Sequence, residues 1–131
     1  MKARRFDFAV TLHEDYDARG FYLYEVAARR PHWGELLCAE LISVMDADPR
    51  RKIDGNSARN GLIRRKIKPD MMKGHPEAFL LHFQHAARTF TIETPSEESL
   101  DSRVRLQERF LAAMGKKIET GDGFLKKTQL S

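Results

Sequence analysis

Arg88-Thr89-Phe90-Thr91-Ile92-Glu93-Thr94-Pro95-Ser96 is the stretch whose reading decides the fold. Thr89, Phe90, Thr91 and Ile92 are β-branched or aromatic and suit a pleated strand, whereas Pro95 has no amide with which to continue a ladder. The strand is therefore expected to end near Glu93, and the run from Ser99 to Met114 behind it reads as a helix. A carboxylate at the C-terminal end of a strand, just before a turn and a helix, sits where open α/β sheets form their ligand crevice. Glu93 is thus the first candidate for chemistry. Its plain alternative is a solvated carboxylate at a sheet edge.

Working outward, the length of 131 residues fits one domain with one core. Hydrophobic residues make up 41% and charged residues 32%, the balance of a globular protein rather than a disordered or fibrous one. No apolar run approaches the roughly 18 residues that a membrane helix needs, and Met1 to Arg5 leads into a strand rather than a signal segment. A cytoplasmic location is the expectation. The single cysteine, Cys38, excludes an internal disulfide and a cysteine-built zinc site, and its apolar helical setting suits a buried small hydrophobe. The net charge of +4 is concentrated in Arg50, Arg51, Lys52, Arg59, Arg64, Arg65, Lys66 and Lys68, while Glu93 to Asp101 is acidic. That basic segment has the charge for an anion but no interleaved aromatics and no known nucleic-acid reader, so a solvated face is the simpler reading.

Along the chain, Phe6 to Leu12 reads as a first strand, with Phe6, Phe8, Val10 and Leu12 on one face by the period of two. His13-Glu14-Asp15-Tyr16-Asp17 then reads as a site loop. Gly20 allows a turn into a second strand, Phe21 to Val26. After Pro31, His32 to Met45 carries Leu36, Leu37, Glu40, Leu41 and Val44 at helical spacing and ends at Asp48-Pro49. Asp54-Gly55-Asn56 and Asn60-Gly61 signal turns, Leu62 to Ile67 a short strand, and Lys68 to Pro76 a loop. Pro76-Glu77 opens a helix that Ala78, Phe79, Leu81, His82, Phe83 and Ala86 continue. In the last helix Ser99 is the N-cap, Val104, Leu106, Phe110, Leu111 and Met114 form the buried stripe, and Gly115 closes it. The expected architecture is an α/β sandwich of three-layer type around a small, twisted, mixed sheet of four strands with three helices. Residues 1–117 form its single domain, and 118–131 a C-terminal tail.

Three groups of residues have metal-binding chemistry. His13 stands alone beside Glu14 and Asp15, and one histidine cannot hold zinc. His32 and Glu35 are three apart, but Glu35 at a helix start is also favoured by the helix dipole. His82 and His85, with His75 nearby, share a helix face without a third fixed ligand. Nucleophilic catalysis has little support, because Ser96 lies in no Gly-x-Ser-x-Gly elbow and Cys38 has no partner group.

Leu12-His13-Glu14-Asp15, Gly20-Phe21-Tyr22-Leu23-Tyr24-Glu25, Pro76-Glu77-Ala78, Phe90-Thr91-Ile92-Glu93-Thr94-Pro95-Ser96 and Arg103-Val104, in that order and spacing, resemble the C-terminal half of zinc metallocarboxypeptidase-like proteins. That broad group includes the succinylglutamate desuccinylase and aspartoacylase type of amidohydrolase. The resemblance runs from about Phe6 to Met114 and implies a partial zinc-carboxypeptidase-like fold. It implies that His13 is the family's last zinc ligand and Glu93 its general base, acting on a C-terminal peptide bond or an N-acyl amino acid. The family's first two ligands come from a His-x-x-Glu motif upstream, and only twelve residues precede His13 here. His32-Trp33-Gly34-Glu35 has the spelling but follows His13, so the role is not carried over to it. The chain alone is therefore expected to lack hydrolase activity. It reads either as a part completed by another polypeptide or as a non-catalytic α/β module that pairs with a copy or a partner through its sheet edge or binds anions.

Overall fold

The computed structural model describes residues 6–27, 31–65 and 86–119. Its strands are β1 (Phe6–Asp15), β2 (Tyr22–Ala27), β3 (Lys52–Ile53), β4 (Asn56–Ser57), β5 (Leu62–Arg65) and β6 (Ala86–Pro95). Its helices are α1 (Gly34–Leu41) and α2 (Leu100–Glu119). The main sheet has the order β1-β6-β2-β5, and β3 and β4 form a separate hairpin. β1 runs parallel to β6, β2 antiparallel to β6 and parallel to β5, so the sheet is mixed as expected. The expected helix after Pro76, with His75, His82 and His85, lies outside the described residues, but Ala86 opens β6 rather than continuing a helix.

Strand periodicity sorts the side chains onto two faces. Phe8, Val10, Phe21, Leu23, Phe90 and Ile92 pack with Leu37, Cys38, Leu41, Leu106, Phe110 and Met114 of the two helices in one core. Phe90 is its centre, stacked on Trp33 at 6.1 Å and meeting the edge of Phe110 at 6.5 Å between ring centroids. The opposite face carries Tyr22, Tyr24 and Ile63, which pack with Ala18, Ile53 and Ala58 in a second, smaller cluster. Cys38 is buried as expected, and burial pushes its thiol up to about 12.

Several boundaries differ from the expectation for identifiable reasons. β6 continues past Glu93 to Pro95, because the Ser96 N–H bonds the Asp15 carbonyl on β1 and alternate amides point to opposite neighbours. The amide that Pro95 lacks would face β2, whose pairing begins only at Tyr22↔Glu93. For the same reason His13, Glu14 and Asp15 are strand, each paired with β6, and not a loop. α1 is shorter than His32 to Met45, and Leu36 is exposed. α2 runs through Gly115 to Glu119, and Val104 and Leu111 lie outside its buried stripe. The Ser99 cap is as expected, its Oγ accepting the Ser102 N–H at 3.1 Å.

Both turn signals hold. Asp54 and Gly55 have φ of 51° and 79°, and Asn60 and Gly61 have 51° and 80°, the two successive left-handed residues of a tight hairpin turn. Gly61 is required twice over, since a Cβ there would lie 2.9 Å from the Ala47 Cβ.

Candidate functional site

His13 and Glu93 are register partners on the parallel strands β1 and β6, so their side chains leave the same face side by side. His13 Nδ1 lies 3.3 Å from Glu93 Oε2. Two residues distant in sequence, singled out separately by strand-end position, therefore meet at the carboxyl rim of β1 and β6. The Thr94 hydroxyl donates to the His13 carbonyl at 3.1 Å and fixes this end of the pair. The row extends to β2, where Tyr22 is the antiparallel partner of Glu93. Tyr22 donates its hydroxyl to Asp15, and Tyr24, one step along β2's face, donates to Asp54 at 2.9 Å. The Arg50 guanidinium stands 6.0 Å from the Tyr22 ring centroid.

The pair is asymmetric in burial, with side-chain exposures of 43% for His13 and 12% for Glu93. Burial raises the Glu93 pKa above the ordinary carboxylate value; His13 opposes that rise and Asp15 adds to it. Burial and the bond to Asp15 push the Tyr22 phenol well up, and burial with the bond to Asp54 does the same for Tyr24. Both phenols therefore remain neutral donors around a carboxylate with heightened proton affinity.

The other sequence candidates go elsewhere. Glu35 lies in the first turn of α1 with its carboxylate on Arg64, at 2.6 and 3.1 Å, so it follows the helix-start reading and not a ligand pair with His32. Of the basic segment, Arg50 is bonded to Asp48 at 2.7 Å, and Arg64 to Glu25 at 2.9 Å as well as to Glu35. These two arginines hold the chain's own carboxylates.

Glu25 is the residue sequence reasoning missed. It is fully buried, and its Oε2 accepts the N–H groups of Trp33 at 2.8 Å and Gly34 at 3.2 Å, capping α1 from a neighbouring strand. A Cβ at Gly34 would stand 2.6 Å from Glu25 Oε1, so a larger residue there has to push the Glu25 carboxylate aside. The signal was present: in Phe21-Tyr22-Leu23-Tyr24-Glu25 the glutamate takes a position whose alternates, Phe21 and Leu23, are core.

A metal site of the kind the sequence suggests needs at least three protein donors. Among the described residues no group of three His, Cys, Asp or Glu side chains converges to hold an ion. His13 supplies one imidazole and Glu93 one carboxylate, so the described residues do not by themselves fit a complete metal centre. Among the described residues there is also no helix long and apolar enough to cross a membrane.

No protein-family model matches the sequence, and the search of curated proteins finds no match. Solved structures do match. Three Shewanella proteins, each described as a "putative metallopeptidase", share the fold: that from S. amazonensis with a TM-score of 0.65 and 21% identity, S. denitrificans with 0.62 and 24%, and S. baltica with 0.66 and 24%. The matches cover 82, 79 and 81% of this chain but only 39, 37 and 38% of those chains. This chain thus spans about two fifths of the length of its structural neighbours, and at these identities the likeness establishes a shared α/β fold.

Proposed function

We propose that the chain is the proton-handling part of a metal-dependent amide hydrolase of the zinc metallocarboxypeptidase or N-acyl amino acid amidohydrolase kind. Its substrate class is a C-terminal peptide or an N-acyl amino acid. The observation that supports this most is the His13–Glu93 pair, 3.3 Å apart at the carboxyl rim of two parallel strands. The fold shared with the Shewanella proteins agrees with it. In this reading Glu93 takes a proton from the attacking water and returns it to the leaving nitrogen, for which a buried carboxylate of raised pKa is suited. His13 is one metal donor, and the remaining donors come from polypeptide outside the described residues.

Two measurements test this. The purified chain, given zinc and a panel of N-acyl amino acids and C-terminal peptides, is expected to show no turnover; robust chelator-sensitive hydrolysis would refute the incomplete-centre reading. Cobalt(II) titrated into the chain is expected to give a weak absorption signal that His13→Ala removes, and a signal indifferent to His13→Ala removes the ligand role. The second reading is a non-catalytic module of the same ancestry. It predicts no cobalt signal at all.

A further inference from the structure

A cavity of about 350 Å³ opens on the helix side of the sheet, where the β1–β2 connection, the end of α1 and the start of α2 meet. Its walls carry Arg19, Asp46 and Glu98, with the hydroxyls of Ser43 and Ser102 beside them. Phe90 and Ile92 point to the helix side, so Glu93, one position on from Ile92, points to the other face with His13. The cavity is thus separate from the rim pair, and its ligand is independent of the hydrolase reading.

Charges of both signs line this cavity without neutralising one another. Among the described residues, neither the Arg19 guanidinium nor the Asp46 and Glu98 carboxylates lie in an ion pair. Elsewhere Arg50 closes on Asp48, Arg64 on Glu25 and Glu35, and Arg103 on Glu14. The backbone beneath the three unpaired groups is fixed. The Arg19 N–H donates to the Asp48 carboxylate at 2.8 Å, the Phe21 N–H to the Asp46 carbonyl at 3.1 Å and the Asp48 N–H to the Phe21 carbonyl at 2.8 Å. A Cβ on Gly20 would stand 2.4 Å from the Asp46 carbonyl oxygen, so these two walls are locked together with no side chain between them. On the third side the Glu98 N–H donates to the Pro95 carbonyl at 3.1 Å, and Arg103 Nε donates to the Glu98 carbonyl at 2.9 Å. A frame held in this way lowers the ordering cost of a ligand.

We infer that this cavity binds a small zwitterion, a molecule with one free ammonium and one free carboxylate, as in a free amino acid or an unblocked dipeptide. Its carboxylate is taken by Arg19, whose planar guanidinium suits a bidentate contact, and its ammonium by Asp46 and Glu98. The Ser43 and Ser102 hydroxyls both donate and accept, so they serve either end. A simple anion gains Arg19 but meets two carboxylates of like sign, and a simple cation gains the carboxylates but meets Arg19. A ligand carrying both charges satisfies all three groups, and the like-charge contacts select against the others.

The test follows the amide resonances of the isotope-labelled chain at neutral pH and constant ionic strength. Glycine and glycylglycine are the probes, with acetate and methylammonium as controls of a single charge. At least one probe is expected to move Gly20, Ser43 and Ser102 along saturable curves with a Kd on the order of 1–10 mM, and the tighter of the two identifies the ligand's span. Acetate and methylammonium should each bind about tenfold more weakly or worse. Arg19→Gln and Glu98→Gln change exposed side chains and spare the backbone bonds, so circular dichroism and melting should be unchanged while the probe binds about tenfold more weakly or worse. Either control binding as tightly as the probes, either variant binding as the parent does, or shifts that stay linear to about 100 mM overturn the inference.

Discussion

Glu93 and Asp48 are both buried carboxylates, and their surroundings move them in opposite directions. Glu93 has its pKa raised by burial, with His13 only partly offsetting it, so its charged form costs stability. A raised folded pKa means stability that is present below the unfolded value and lost as pH rises through the folded one. Glu93→Gln should therefore melt higher than the parent at pH 7, the gap closing as pH falls toward 4, while any supported hydrolysis disappears. Thermal melts across that range decide it, and a variant several degrees less stable at pH 7 would show that Glu93 is held for structure. Burial also works against the charge on Asp48, but bonds from Arg50 and from the Arg19 and Arg50 amides outweigh it and lower its pKa. Its contribution is present above the unfolded value and lost as pH falls through the lower folded one. Asp48→Asn should cost about 1–3 kcal/mol at neutral pH and flatten the acid limb of the stability curve. An unchanged acid limb would place the acid sensitivity elsewhere.

At the scale of elements, α2 shows what a helical pattern reveals and where it stops. The apolar positions Val104, Leu106, Phe110, Leu111 and Met114 all suit one amphipathic helix, yet only Leu106, Phe110 and Met114 are buried. Periodicity identifies the helix and its cap. It does not say how wide an arc the sheet covers, because that depends on which strands lie beneath. Phe110→Ala should cost about 3–5 kcal/mol, since it empties the space against Phe90, whereas Leu111→Ala should fall within about 0.5 kcal/mol. Denaturant unfolding of the two variants separates them, and equal losses would mean that Leu111 is covered in the isolated chain. Strand ends were misjudged for a related reason. Pro95 forbids one hydrogen bond, and whether a strand stops there depends on whether a neighbour needed it. Turns were legible because their chemistry is local: Asp54-Gly55 and Asn60-Gly61 supply the left-handed backbone wherever the chain goes.

Across the whole molecule, the sheet separates a large core on the helix side from a small cluster under the candidate site. That division explains why the site was only half visible in the sequence. His13 and Glu93 could be picked out by strand-end position and by resemblance, but Tyr22 joins them through cross-strand register and Asp54 through the hydrogen bond from Tyr24, both properties of the assembled fold. Glu25 escaped for the opposite reason, since a charge at a core position makes sense only once Arg64 and the start of α1 arrive beside it.

The same division sets an order of local stability. The β3–β4 hairpin is held by two register pairs and by Ile53 and Ala58 against Tyr22 and Ile63, far less apolar contact than β6 has in the main core. Regions with few buried apolar contacts open by local excursions well below the global unfolding free energy. Amides of β3 and β4 should therefore exchange orders of magnitude faster than those of Phe90 and Ile92, and Phe110→Ala should accelerate the second set far more than the first. If hairpin and β6 exchange at one common rate, the site face and the helix face unfold as a single unit. In the expected case Asp54, carried on the hairpin turn, leaves Tyr24 in local excursions while His13 and Glu93 stay paired on β1 and β6.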